Sequence, residues 1–153
     1  MALTRFLSMY TTLNLLVLIL FYQDASDTIR DIMRASTFLI AVVVATSVWI
    51  NPFPIYRTLF DSFAPPKYQA IVPLNTKYGI VFIFDMLFHV IPLVVIGLPH
   101  NSTSMLIACT ILLAWYAVMR HRIHEIYTSG ISTDRSICIA IVTALIGYIL
   151  LEK

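Results

Sequence analysis

The chain reads as an all-α protein, a polytopic bundle of five membrane-spanning helices with a short interfacial helix in the loop 51–76. Three observations lead there. Of its 153 residues 59% are hydrophobic and only 12% charged, whereas a soluble domain is about a quarter charged. The mean hydropathy is +0.87. Five apolar runs are long enough for a bilayer core, which takes roughly 17–25 residues of helix, and none alternates as a barrel strand must.

The predicted spans are 2–22, 33–53, 77–98, 103–120 and 135–151, in one transmembrane domain, 1–153. The first opens with Arg5 and the apolar "LLVLILFY", like a signal peptide. The "QDASD" that follows lacks a pair of small residues for cleavage, so the run is expected to stay as a helix. Residues 51–76 hold five of the seven prolines, which exclude a continuous helix. Within them Ile55, Leu59, Phe60 and Phe63 recur at helical spacing opposite Arg57 and Asp61, as in a helix lying in the interface; a proline-rich connector resting its aromatics on headgroups fits equally.

With five spans, Arg5, Arg57, Lys67, Lys77, Arg120, Arg122 and Arg135 share one side, and Arg30, Arg34 and Lys153 the other. The basic excess predicts a cytoplasmic N-terminus. The sequon at Asn101 is wedged in a short turn, and no glycan is expected. A net charge of +2 spread over loops carries no nucleic-acid footprint. Cys109 and Cys138 fall in apolar runs and read as small hydrophobes rather than a disulfide or a metal pair.

At about 1.5 Å of rise per residue from the N-terminal side, Thr11 and Thr12 lie roughly 14–15 Å deep, Asn14 and His89 about 18 Å and Asp85 about 12 Å. Thr46, Thr110 and Thr143 fall at roughly 10–15 Å. Polar groups from five helices thus share a layer. The threonines by themselves fit bonds to their own helix equally well. Asp85 and His89 are four apart and share a helix face; an acid retained in so apolar a run is a functional hypothesis by default. The carboxylate is expected to orient the imidazole, leaving its other nitrogen as a general base. Pro92 removes the donor to the carbonyl of Phe88 and is expected to kink the helix there and open a pocket. A self-satisfied Asp–His pair knitting two helices is the plainer alternative. The surface cluster "MRHRIHEIY" has His121, His124 and Glu125 at ligand spacing, yet it reads better as a basic collar for anionic headgroups than as a metal site. Neither metal nor cofactor is expected.

Four stretches, "RFLSMYTTLNLLVLIL", "IMRASTFLIAVVVATSVWIN", "LFDSFAP" and "LFHVIPLVVIGL", resemble in order the androgen-induced, androgen-dependent group of small membrane hydrolases and their bacterial six-helix relatives. The likeness runs over nearly the whole chain through short motifs; residues 125–130, "EIYTSG", depart from the family's aromatic-proline motif. The resemblance implies hydrolysis of fatty acid esters of hydroxy fatty acids, with a threonine nucleophile at Thr11, Ser8 and Thr12 being competing alignments. It also implies His89 as base; from the shared layer and the Pro92 kink, Asp85 is expected to orient it and Asn14, Thr46 and Pro92 to line the substrate site. The implied partners are membrane lipids. The rival class is a non-enzymatic membrane subunit, with protein partners in a respiratory complex or a virion inner membrane.

Overall fold

The computed structural model describes residues 16–50, 60–61, 64–126 and 130–152. Their regular structure is helical throughout, with no strand among the described residues. Residues 16–21 are helical. Helix α1 spans Asp27–Ile50 and α2 Pro66–Ile71. Helix α3 runs over Leu74–Ile96 as an α segment Leu74–Asp85, a π turn Met86–Val90 and a second α segment Ile91–Ile96. Helix α4 spans Ser102–Ile126 and α5 Gly130–Leu151. Two helical stretches, Leu74–Ile96 and Asp134–Leu151, are long and apolar enough to cross a membrane, and Ser102–Val118 is a shorter apolar one.

Helices α1, α4 and α5 pack on one another pairwise. Their shared core is Ala35 and Leu39 of α1, Met105, Ala108, Cys109 and Leu112 of α4, and Ile137, Ala140 and Ala144 of α5. Each set repeats at three- or four-residue steps, so each helix turns one stripe inward. Four of the nine are alanines, small enough to let the helix backbones approach closely. Gly147 extends the stripe: a Cβ there would stand 2.8 Å from the Met105 Cε. Tyr116 of α4 donates its hydroxyl hydrogen to the Asp134 carboxylate of α5, tying the α4–α5 hairpin at its closed end.

Helix α3 joins this trio through α1, which contacts the π turn and the segment Ile91–Ile96. Much of α3 is exposed: Ile83, Leu87, Ile91 and Val94 recur at three- or four-residue steps with relative exposures of 46–76%.

A short helix in the loop after α1 falls at Pro66–Ile71, following the predicted stripe Ile55 to Phe63. Ile55, Leu59 and Phe63 lie outside the described residues. Phe60 is helical, but it turns inward against Val81 instead of outward to an interface. Lys77 is the reason. Its ammonium, three residues into α3, donates to the Asp61 carboxylate at 2.9 Å and to the Gln69 carbonyl at 2.6 Å, 5.2 Å from the Phe60 ring. Gln69 Nε2 in turn donates to the carbonyls of Asp61 and Ala64. A buried ammonium must be paired and hydrogen-bonded, and meeting that demand brings Asp61 and Gln69 back over the start of α3.

Candidate functional site

Pro92 has no N–H to give the carbonyl of Phe88, and its ring crowds that carbonyl. The helix goes on through the fault by widening to a π turn at Met86–Val90, a local form often found at functional positions. His89 lies inside this turn and is half-buried, and Pro92 is buried. Phe84 and Phe88 stack with centroids 5.9 Å apart and planes 5° from parallel. Since Phe84 and Phe88 directly precede Asp85 and His89, this aromatic pair walls the adjacent face of the helix. Asp85 closes the first α segment; its side chain lies outside the described residues.

Thr46, Thr110 and Thr143 of the predicted layer are engaged within their own helices. Thr46 Oγ1 donates to the Val42 carbonyl at 2.6 Å, with the Val43 carbonyl at 3.2 Å. Thr110 donates to the Leu106 carbonyl and Thr143 to the Ile139 carbonyl. These are the back-bonds common in apolar helices. Thr11 and Asn14 lie outside the described residues, as do the side chains of His121, His124 and Glu125. Among the described residues no group of three or more His, Cys, Asp or Glu is arranged to hold a metal ion. Cys109 is free and buried, Cys138 free and exposed.

A polar joint that the sequence reading missed lies at the far end of α3. Asp31 is buried, yet its carboxylate accepts the backbone N–H of His100 at 2.8 Å and that of Asn101 at 2.9 Å. These charge-assisted bonds stabilise the carboxylate where water cannot. Arg34, one turn on, reaches to 3.7 Å of the same carboxylate, and its Nε donates to the Ile96 carbonyl at 2.8 Å. Tyr22 donates its hydroxyl hydrogen to that carbonyl at 3.2 Å, with the Arg34 guanidinium 5.7 Å from its ring. Ile96 ends α3, and helix-terminal carbonyls lack intrahelical partners. Gly97, at φ 83°, turns the chain away in the left-handed region open to glycine. Asn101 Oδ1 accepts the Thr103 N–H at 2.8 Å and caps α4. The available signal was Asp31 and Arg34, two charges one turn apart at the head of an apolar helix.

The joint brings the ends of three apolar segments to one level: the helix ending near Tyr22, the start of α1 and the end of α3. It sets a common origin for heights along the bundle, with His89 seven residues before Ile96, or about 10 Å below the joint. No protein-family model, curated protein or solved structure matches this chain.

Proposed function

We propose that the chain is a multi-pass membrane protein of five spans with its N-terminus in the cytoplasm, and that it hydrolyses lipid esters within the membrane around His89. The π turn that holds His89 beside buried Pro92 carries this reading. Histidine is the side chain best suited to move protons near neutral pH, and π turns are often found at functional positions.

In this mechanism His89, oriented by Asp85, takes the proton of a threonine hydroxyl as that oxygen attacks the ester carbonyl. Asn14 or a neighbouring hydroxyl donates to the oxyanion. The leaving alcohol takes the proton back from His89. Water, deprotonated by the same imidazole, then frees the fatty acid and restores the threonine.

The Tyr22–Ile96 hydrogen bond supports the assembly. The described end of the first predicted span, residues 16–22, and α3 both finish at the joint, and the mechanism requires the first span to continue as helix below Tyr22. Helical rise continued below Tyr22 would bring Asn14 about 12 Å below the joint, near the level of His89, and Thr11 about 16 Å, about 6 Å lower than His89 and level with Asp85. Thr12, at about 15 Å, competes with Thr11. The test is turnover of a fluorogenic long-chain ester by purified protein in lipid nanodiscs. His89→Ala is expected to abolish it with helicity retained, and unchanged turnover refutes the assignment.

A second reading, a structural subunit of a larger membrane assembly, is favoured by the exposed stripe Ile83, Leu87, Ile91 and Val94 on α3. Here the stripe takes a neighbouring subunit's helix. Purification from native membranes with a partner in fixed stoichiometry, together with absence of ester turnover in wild type, selects it.

A further inference from the structure

We infer that the elbow made by α2 and the start of α3 is a lipid-headgroup docking surface, with Tyr68, Ile71 and Leu74 seated at the boundary of the acyl chains and Lys67 paired with a lipid phosphate. The inference rests on the reading of α3 as a membrane span.

Three observations carry it. Tyr68, Ile71 and Leu74 are spaced by three and exposed by 42%, 70% and 47%, so apolar side chains face outward beside the polar Asn75 and Thr76. The elbow is held in shape from within: Lys77 is buried and bonded to Asp61 and to the Gln69 carbonyl, Phe60 is buried against Val81, and Gln69 ties Asp61 to Ala64. The outward face is therefore a set arrangement on a knotted base. Finally, Leu74 opens the helix that is long and apolar enough to cross a membrane, which places the elbow at headgroup height. Tyrosine is enriched there, because its ring tolerates the apolar side and its hydroxyl the wet side.

Lys67 adds the charge. Its ammonium lies 4.7 Å from the Tyr68 ring centroid on the exposed face of α2. A lysine at a membrane surface attracts anionic headgroups, and stacking on Tyr68 holds this one at the edge of the apolar patch. Lipid, rather than a soluble partner, is the occupant because the patch is continuous with the span, and the bilayer reaches it without a further binding event.

The test uses the full chain with Cys109→Ala and Cys138→Ala, reconstituted in phosphatidylcholine vesicles with or without phosphatidylglycerol. An environment-sensitive fluorophore is placed at Ile71→Cys or, separately, at Leu87→Cys within the span. Nitroxides at the top or the bottom of the acyl chain, or dissolved in the water, serve as quenchers. The expected result is quenching of the Ile71 label chiefly by the shallow lipid nitroxide and of the Leu87 label by the deep one. Lys67→Glu is expected to lower the enrichment of phosphatidylglycerol among co-purified lipids about fivefold. If Leu87 responds to the deep quencher and Ile71 only to the aqueous one, the elbow faces water or a soluble partner and the inference fails while the span stands. If neither label responds to lipid, the span itself fails. Enrichment unchanged by Lys67→Glu overturns the phosphate pairing.

Discussion

Asp31 reaches the backbone N–H of His100 at 2.8 Å across 69 positions of sequence, so the start of α1 and the turn between α3 and α4 are one mechanical unit. Asp31→Ala removes the acceptor of two N–H groups, while Arg34 keeps its bond to the Ile96 carbonyl. Losing the acceptor of a charge-assisted hydrogen bond costs about 1–3 kcal/mol, so the variant is expected to lose roughly 2–5 kcal/mol. Thermal unfolding in detergent measures this. Asp31→Asn, which keeps one acceptor, is expected to fall between; equal stability of all three proteins contradicts the role given to the carboxylate.

Lys77→Ala removes a buried ammonium together with its bonds to the Asp61 carboxylate, whose side chain is 30% exposed, and to the Gln69 carbonyl. Water reaches Asp61, so the cost is expected to stay at about 1–3 kcal/mol, below that of a fully buried pair. The effect is local. Hydrogen exchange should quicken over 64–77 and stay unchanged in the α1–α4–α5 core, and a uniform change across the chain argues against a separate elbow.

Gly147 lies against the flexible end of Met105. Gly147→Ala is expected to be nearly neutral, because the Met105 methyl shifts aside and alanine favours helix by about 1 kcal/mol. Gly147→Leu overfills the seam and is expected to cost about 1–3 kcal/mol or more. Chemical unfolding of the two variants side by side checks the order.

Pro92→Ala returns the missing donor and removes the ring that crowds the carbonyl of Phe88. The π turn is expected to relax toward α-helix, read as slower amide exchange over 86–92. Under the hydrolase reading ester turnover falls as His89 rotates out of register, whereas a purely structural π turn leaves no turnover to lose. Exchange that does not slow shows that something other than Pro92 holds the turn.

Composition and spacing alone determined that this chain is helical, roughly where α1, α3, α4 and α5 run, that Pro92 disturbs α3 beside His89, and that the layer threonines had an intrahelical alternative. All of these act within about one helical turn of the chain, where hydropathy, ring geometry and backbone donors are readable from neighbours. The expectation for α3 took the form of a kink, whereas the helix meets the same missing donor by widening to a π turn. The partners of charged groups were illegible, because they depend on which distant backbone arrives beside them. Only the tertiary structure decided that Asp31 serves the turn at 100–101, that Arg34 and Tyr22 share the Ile96 carbonyl, and that Lys77 draws Phe60 inward rather than leaving it to an interface. The physical reason is common to all three: once apolar helices pack, each buried charge and each helix-end carbonyl needs a partner, and the fold supplies it from whichever segment stands at that height.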